Sequence, residues 1–152
     1  MNSIPSNLRP SGAFVGASWA SLIIGMGAYL IGLWNSPMDL SSKGFYFATL
    51  MLGLFAAISL QKTVRDRMEG VPVTSIYTGV CWAGLAMAIL MMVIGLFNAA
   101  FDVSIKGFLG IAYLLSLFAV VTVQKNVRDL THFRTGSASK DGESESRGES
   151  AQ

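Results

Sequence analysis

Four apolar segments, separated by short polar clusters, dominate the pattern along the chain. Two are long, residues 13–34 and 76–97, and two are shorter, residues 44–60 and 107–123; none contains Asp, Glu, Lys or Arg. An uncharged apolar stretch of about 18 or more residues is typical of a transmembrane helix. The shorter segments would extend roughly 26 Å as helices, so lysines at their ends can complete the crossing. We therefore predict an all-α integral membrane protein with spans at about residues 13–34, 44–62, 76–97 and 107–125.

The same pattern repeats with a constant offset of 63 residues. Residues 32–66 and 95–129 align without a gap, and 17 of the 35 positions are identical. The identities include polar positions, so shared hydrophobicity does not explain them, and we interpret them as duplication of a two-helix unit. Two spans return each unit to its starting side, so the two units lie parallel. We predict tandem repeats over residues 13–67 and 76–130.

The composition supports the membrane class, and the charge distribution predicts an orientation. Only 13% of residues are charged, about half the share in soluble domains, and a net charge of +2 does not favour binding to nucleic acid. Apart from Lys140 and Arg147 far along the tail, seven Lys and Arg residues lie on one side of the predicted spans, and only two lie on the other, Lys43 and Lys106. The positive-inside rule then places both termini in the cytoplasm. We expect residues 1–12 to form a cytoplasmic segment and residues 131–152 a disordered polar tail.

One duplicated motif, Asn-x-x-x-Asp-x-Ser-x-Lys-Gly-Phe, joins the two spans of each repeat. A structural interpretation covers most of it: the asparagines close one helix in the left-handed conformation, and Ser41 and Ser104 cap the next helix. The alternative is that the two loops meet as a polar rim for a ligand or ion. The positive-inside rule does not explain the lysines. The candidate residues of this motif are Asn35, Asp39, Lys43, Asn98, Asp102 and Lys106.

The second duplicated motif, Gln-Lys-x-Val-Arg-Asp, follows the second span of each repeat. On a continuing helix, Lys62 would pair with Asp66, and Lys125 with Asp129, four residues apart. The motif is then a positively charged anchor with local ion pairs. The alternative is a basic cluster that binds anionic lipid headgroups or a cytosolic partner. Its candidate residues are Gln61, Lys62, Arg65, Asp66, Gln124, Lys125, Arg128 and Asp129.

The sequence offers little for catalysis. The predicted spans carry no ionisable side chain near their centres, so they contain no proton relay. Cys81 is the only cysteine and His132 the only histidine, which leaves no metal-ligand cluster and no nucleophile paired with a base. We expect Cys81 to be an inert apolar residue. We expect a protein that is not an enzyme and has no catalytic residues, cofactor or metal.

Five segments from the first repeat to the start of the second form a recognisable set. They are Gly-Leu-Trp-Asn (32–35), Lys-Gly-Phe-Tyr-Phe-Ala (43–48), Leu-Gly-Leu-Phe (52–55), Gln-Lys-Thr-Val-Arg-Asp (61–66) and Glu-Gly-Val-Pro-Val-Thr-Ser-Ile-Tyr (69–77). Together they resemble the YiaA/YiaB inner-membrane family of bacteria, in its two-copy YiaA type, over about residues 13–130. The resemblance implies a bacterial inner-membrane location and a two-helix-domain architecture, but it brings no reaction, ligand or functional residue.

Two functions from different classes fit these observations. The first is a non-enzymatic membrane component that acts through helix packing and through contacts with lipid, with another membrane protein or with its own copies. The second is a small channel or transporter formed by oligomers, with the duplicated Asp and Lys at its mouth. The lipid bilayer is the expected partner in both, anionic headgroups are a candidate ligand, and nucleic acid is not expected.

Overall fold

Four α-helices make up the chain in the computed structural model, which describes residues 10–149, with side chains for residues 10–131. All four are long and apolar enough to cross a membrane, α4 over Val103–Thr131. This confirms the predicted all-helical, four-span architecture. Most of the predicted N-terminal segment, residues 1–9, and the last three residues of the tail lie outside the described part. The helices are α1 (Gly12–Asn35), α2 (Leu40–Met68), α3 (Ser75–Asn98) and α4 (Val103–Glu149).

The second helix of each repeat is longer than its predicted span. α2 has 29 residues and extends roughly 43 Å, well beyond a hydrocarbon core of about 30 Å. It ends where Gly70 takes a φ of +75° and the Val71 N–H donates to the Asp66 carbonyl at 2.8 Å, a Schellman arrangement. Apolar length marks only the embedded part of a helix, so the second duplicated motif lies on helical extensions of the spans.

α4 also continues past its span, with helical backbone to Glu149. The sequence predicts a disordered tail from residue 131, and the described backbone differs from that expectation. Extending a helix that has already formed avoids the cost of nucleation. A polar segment attached to a stable transmembrane helix can therefore stay helical without burying an apolar face.

Each helix packs mainly against a helix of the other repeat. α1 lies along α4 and α3 lies along α2, whereas the two helices of one repeat touch only slightly. α2 and α4 also contact each other, and α1 and α3 do not meet anywhere in the described chain. In their most apolar windows, 44% of residues are buried in α2 and α4, against 17% in α1 and α3. A pseudo-two-fold axis between a central α2 and α4 accounts for this pattern.

A glycine in each repeat packs closely against a phenylalanine of the other repeat. A Cβ built on Gly95 of α3 would lie 2.8 Å from Cε1 of Phe45 in α2. A Cβ on Gly32 of α1 would lie 3.1 Å from Cδ1 of Phe108 in α4. Only glycine permits so close an approach. These four residues belong to the duplicated identities, so inter-repeat packing explains why both copies carry them.

A second pair of exchanged contacts lies toward the opposite end of the spans. The Asn126 amide of α4, which is 1% exposed, donates to the Ser18 hydroxyl of α1 at 2.8 Å. The Thr63 hydroxyl of α2 lies 3.7 Å from the Cys81 sulfur of α3. Each residue of one pair stands 63 positions from its counterpart in the other. The interpretation of Cys81 as an inert apolar residue is therefore incomplete, because its thiol has a polar neighbour.

Tyrosines fill the centre of the bundle. Tyr29 of α1 is fully buried, and its hydroxyl donates to the Tyr46 carbonyl of α2 at 2.9 Å. Its ring lies 6.2 Å from that of Tyr113 in α4. One side chain thus links both helices of the first repeat to the second helix of the other.

The glycine–phenylalanine contact predicts a position-specific cost on α3. We expect Gly95→Val to destabilise the fold by about 1–3 kcal/mol, because the new side chain overpacks against Phe45. Gly79→Val on the same helix is the matched control, since nothing lies within 4 Å of a Cβ built there. Reversible unfolding by SDS titration in micelles, followed by circular dichroism, measures both variants. Equal losses of stability would contradict the packing role of Gly95.

Candidate functional site

The duplicated polar motifs lie at opposite ends of the helices. We call one the loop end, formed by residues 35–46 and 98–109, which includes both short connections. We call the other the basic end, formed by residues 57–69 and 120–131. Each end brings together residues from both repeats, and each has its own cavities, so the two ends are separate candidate sites.

At the loop end, the asparagines bond to their own helices. The Asn35 amide donates to the Ile31 carbonyl, and the Asn98 amide to the Ile94 carbonyl, each at 2.8 Å. No residue other than glycine has a positive φ in the described chain, so the predicted left-handed closure is wrong. The side-chain amide instead bonds to a carbonyl of the last turn, and the residue that follows, Ser36 or Ala99, is extended.

Asp39, rather than a serine, caps α2. Its carboxylate accepts from the Ser42 N–H at 3.1 Å and from the Ser42 hydroxyl. Hydrogen bonds from Ser42 hold the pKa of the Asp39 carboxyl below its ordinary value, because they stabilise its charged form. The prediction of Ser41 and Ser104 as caps is wrong, since both lie inside helices that begin earlier than expected.

Lys43 has a structural role that the sequence did not reveal. Its ammonium donates to the Trp34 carbonyl at 2.7 Å and lies 5.8 Å from the centre of the Trp34 ring. A cation at this place complements the negative C-terminal end of α1. This accounts for a lysine where the positive-inside rule does not expect one. The Lys106 side chain forms no hydrogen bond or ion pair in the described structure, although its backbone N–H donates to the Asp102 carbonyl at 3.1 Å.

The loop-end motifs open onto two cavities rather than one rim. The larger, about 720 Å³, is lined by Asp39, Asn98 and Asp102 together with Phe45, Tyr46 and Phe101. The smaller, about 480 Å³, includes Asn35 in its lining. The structure thus brings three of the six candidate residues together in one cavity. Neither lysine lines either of these two cavities, so the motif does not meet there as a complete charged ring.

At the basic end, both copies of the second motif surround a single small cavity. The volume, about 160 Å³, lies between α2 and α4. Sequence reasoning treated each motif as a separate helix end, because it gave no reason for α2 and α4 to be neighbours. We name the polar residues that line this cavity the basic cluster: Gln61, Lys62, Arg65, Gln124, Lys125 and Arg128.

The arginines of the basic cluster bind the neighbouring carboxylates, and its lysines form no ion pair within residues 10–131. Arg65 bonds the adjacent Asp66 at 3.1 Å, and Arg128 bonds the adjacent Asp129 at 2.9 Å. The predicted pairs of Lys62 with Asp66 and Lys125 with Asp129 do not form. Guanidinium groups bind carboxylates with more donors than an ammonium can offer. Neither lysine has a carboxylate within ion-pair distance in the described part of the chain.

Three buried polar side-chain atoms of this end lack hydrogen-bond partners: Gln61 Oε1, Arg65 Nε and Asn126 Oδ1. The first two belong to the basic cluster. Arg65 Nε lies 3.7 Å from Glu69 Oε1, within ion-pair range but too far for a good hydrogen bond. A buried unsatisfied donor or acceptor is costly, so both atoms favour binding of a polar group at this place.

A larger groove adjoins the basic cluster. It has a volume of about 970 Å³ and lies between α2, α3 and α4. Its polar mouth shares Gln61, Arg65, Lys125 and Arg128 with the cluster, and its apolar wall includes Trp82. Sequence reasoning missed Trp82 as a site residue, although the identity of Trp19 and Trp82 in the two copies was an available signal. Among the described residues, no group of three or more His, Cys, Asp or Glu residues could hold a metal.

Comparisons with known proteins agree with the duplicated architecture. A family model described as the yiaA/B two helix domain matches residues 14–66 and again residues 77–129. The chain is 52% identical to "Inner membrane protein YiaA" of Escherichia coli (strain K12) over 119 residues, which cover 78% of this chain and 82% of the relative. No solved structure matches the chain.

The Asp39 cap predicts a pH dependence of stability. Its pKa is lowered in the folded protein, so the carboxylate stabilises the fold at pH above the ordinary value of 3.8. That contribution is lost as the pH falls through the lower folded-state pKa. Asparagine caps a helix about as well as aspartate but does not titrate. We therefore expect Asp39→Asn to lose less stability than the parent protein below about pH 4. The midpoint of thermal unfolding in a non-ionic detergent, measured as a function of pH, tests this. Equal losses of stability with falling pH in the variant and the parent protein would refute it.

Proposed function

This chain belongs to the yiaA/B two-helix domain family, and we propose that it is a non-enzymatic inner-membrane component. We propose that it acts by binding an anionic membrane partner at its basic end. The name of its relative gives a location without an activity. The proposed role therefore rests on the geometry of the basic cluster.

The observation that carries this proposal is the convergence of both Gln-Lys-x-Val-Arg-Asp copies on one cavity. A single copy would be an ordinary positive helix end at a membrane surface. The contact between α2 and α4 instead places four cationic side chains around about 160 Å³. The aspartates are engaged by Arg65 and Arg128, so the ammonium groups of Lys62 and Lys125 remain for an external anion.

The predicted orientation adds support for an anionic partner. If the basic end lies in the cytoplasm, as the positive-inside rule predicts, it meets the leaflet whose anionic lipids attract basic segments. The residues around its two cavities include no Ser, Thr, Cys or His. Lys, Arg and Gln bind anions by charge and hydrogen bonding, which supports a binding role over catalysis.

Removal of both unpaired lysines tests this role. We expect Lys62→Gln with Lys125→Gln to weaken retention of the bound species about 30-fold, since each lysine near an anionic surface contributes about 1 kcal/mol. Native mass spectrometry of protein gently extracted from its own membrane measures the retained mass. A lipid adduct or a second protein at fixed stoichiometry would support binding, and the mass would identify which it is.

The matched control is Lys43→Gln with Lys106→Gln. It removes two duplicated lysines from the same two helices at the opposite end. The control should keep the bound species, while both double variants should insert normally. Retention of the same species by the basic-end variant, or a parent protein with no bound partner, would contradict the proposal.

A small oligomeric channel or transporter is the second candidate, and the larger loop-end cavity favours it. That cavity has about 720 Å³, within the range of small-ligand sites. Asp39 comes from the first repeat, and Asn98 and Asp102 come from the second. Polar groups from both repeats around one opening fit the mouth of a solute pathway.

Flux through liposomes tests this second candidate. If the cavity is a cation entrance, Asp102→Asn should lower potassium flux severalfold at low salt, because it removes charge that concentrates cations there. The difference should shrink at high salt, where charges are screened. Asp102→Glu keeps the charge and should keep the flux. Liposomes with protein that are no more permeable than empty ones would exclude this function for potassium.

A further inference from the structure

We infer that the groove beside the basic cluster binds an anionic glycerophospholipid, with the phosphate at Lys125 and Arg128 and one acyl chain along Trp82. This inference rests on the proposed function of the basic end and specifies its ligand. The argument combines the depth of the groove, the change from polar to apolar lining along it, and the unpaired groups at its mouth.

The dimensions of the groove suit a lipid. Its lining extends along α2 from Glu69 at the mouth to Ala57, a distance of roughly 18 Å at 1.5 Å per residue. One leaflet of the hydrocarbon core is about 15 Å deep, half of the full thickness. The groove therefore extends from the headgroup level to about the depth of one leaflet.

The lining changes from charged to apolar along that depth. The mouth carries Gln61, Arg65, Lys125 and Arg128, and the inner wall carries only apolar side chains from three helices: Ala57, Leu60, Leu85 and Val121. Trp82, which is 57% exposed, stands at the side of the groove about 10 Å from the start of α3. Tryptophan near the headgroup level is typical of lipid contact. A soluble anion would use the mouth and leave the apolar wall empty.

Polar side chains at the mouth can bind both the phosphate and the hydroxyl groups of a hydroxylated phosphate headgroup. Asp129 is held by Arg128 at 2.9 Å, and Lys125 has no carboxylate partner among the residues whose side chains are described, so a phosphate can approach the two cations. The buried Nε of Arg65 can donate to a further oxygen, and the Gln61 Oε1 can accept from a headgroup hydroxyl. Glu69 is the remaining carboxylate of the lining, and it faces Arg65 at 3.7 Å. This combination favours phosphatidylglycerol over a zwitterionic lipid.

Quenching of tryptophan fluorescence by brominated acyl chains tests the placement of the chain. The protein has three tryptophans, so Trp19→Phe with Trp34→Phe leaves Trp82 as the only reporter. In non-ionic micelles, phosphatidylglycerol with brominated chains should quench Trp82 in a saturable way. Brominated phosphatidylcholine should need at least about tenfold more lipid for the same effect. Lys125→Gln should raise the phosphatidylglycerol concentration needed about fivefold.

Two controls separate a site from general lipid contact. Trp19→Phe with Trp82→Phe leaves Trp34, which is 77% exposed at the loop end, and both lipids should quench it alike. Lys106→Gln removes a duplicated lysine at the loop end, away from the groove. It should leave the dependence of Trp82 quenching on phosphatidylglycerol concentration unchanged. Circular dichroism of each variant confirms that the helices are retained.

The remaining outcomes decide against the inference. Equal quenching of Trp82 by the two lipids would show that the groove has no headgroup preference. Relief of quenching by inorganic phosphate at the concentration of the lipid would show a site for soluble anions instead. If Trp82 is not quenched while the basic-end lysines still retain a bound mass in native spectra, the groove assignment fails and the proposed function stands. If Trp82 is not quenched and no bound mass is retained in native spectra, both the groove assignment and the proposed function are refuted.

Discussion

The close approach of a glycine in each repeat to a phenylalanine in the other is the contact on which the arrangement of the four helices depends. Gly32 admits Phe108, and Gly95 admits Phe45, so the first helix of each repeat lies against the second helix of the other. Hydrophobicity alone does not select partners in a bilayer, because lipid tails are as apolar as the side chains. Steric fit and a few hydrogen bonds, such as Asn126 to Ser18, therefore select them. With α1 and α3 on the outside, α2 and α4 meet at the centre.

The sequence predicts the number, type and duplication of the helices, because apolar length and a gapless repeat are properties of the chain itself. It does not predict the pairing of α1 with α4. A connection as short as residues 36–39 suggests that consecutive helices are neighbours, yet those helices touch only slightly. It also misplaces the start of α2, since Asp39 caps the helix before the apolar segment begins. The choice of helix partners depends on contacts between residues far apart in the chain, and the helix ends depend on local hydrogen bonds. A pattern of apolar residues contains neither kind of information.

The two duplicated motifs show why identity in both copies does not by itself identify a site. Asn35 and Asn98 repeat because each satisfies a carbonyl of its own helix, and each copy would need that residue alone. The side chains of Lys62 and Lys125, by contrast, form no hydrogen bond or ion pair within the described part of the chain. The candidate residues named from sequence are the duplicated polar positions, and which of them lie together could be read only from the structure. The same is true of Trp82, which enters the groove only because α3 packs on α2.

The convergence of the two basic motifs also carries an electrostatic cost that bears on their role. Lys62 and Lys125 come from parallel helices on either side of the pseudo-two-fold axis, together with Arg65 and Arg128. The C-terminus of α2 and the two aspartates offset part of the repulsion, and salt screens charges at a surface. The remaining positive charge is reduced further when an anion occupies the cavity. A ligand that binds only the folded protein stabilises it by mass action. The glycine–phenylalanine contacts join α1 to α4 and α3 to α2, which leaves α2 and α4 to meet each other at the centre. In the proposed function, helix packing and binding at the basic end are therefore coupled, because the contact between α2 and α4 that this packing permits also brings the two basic motifs together.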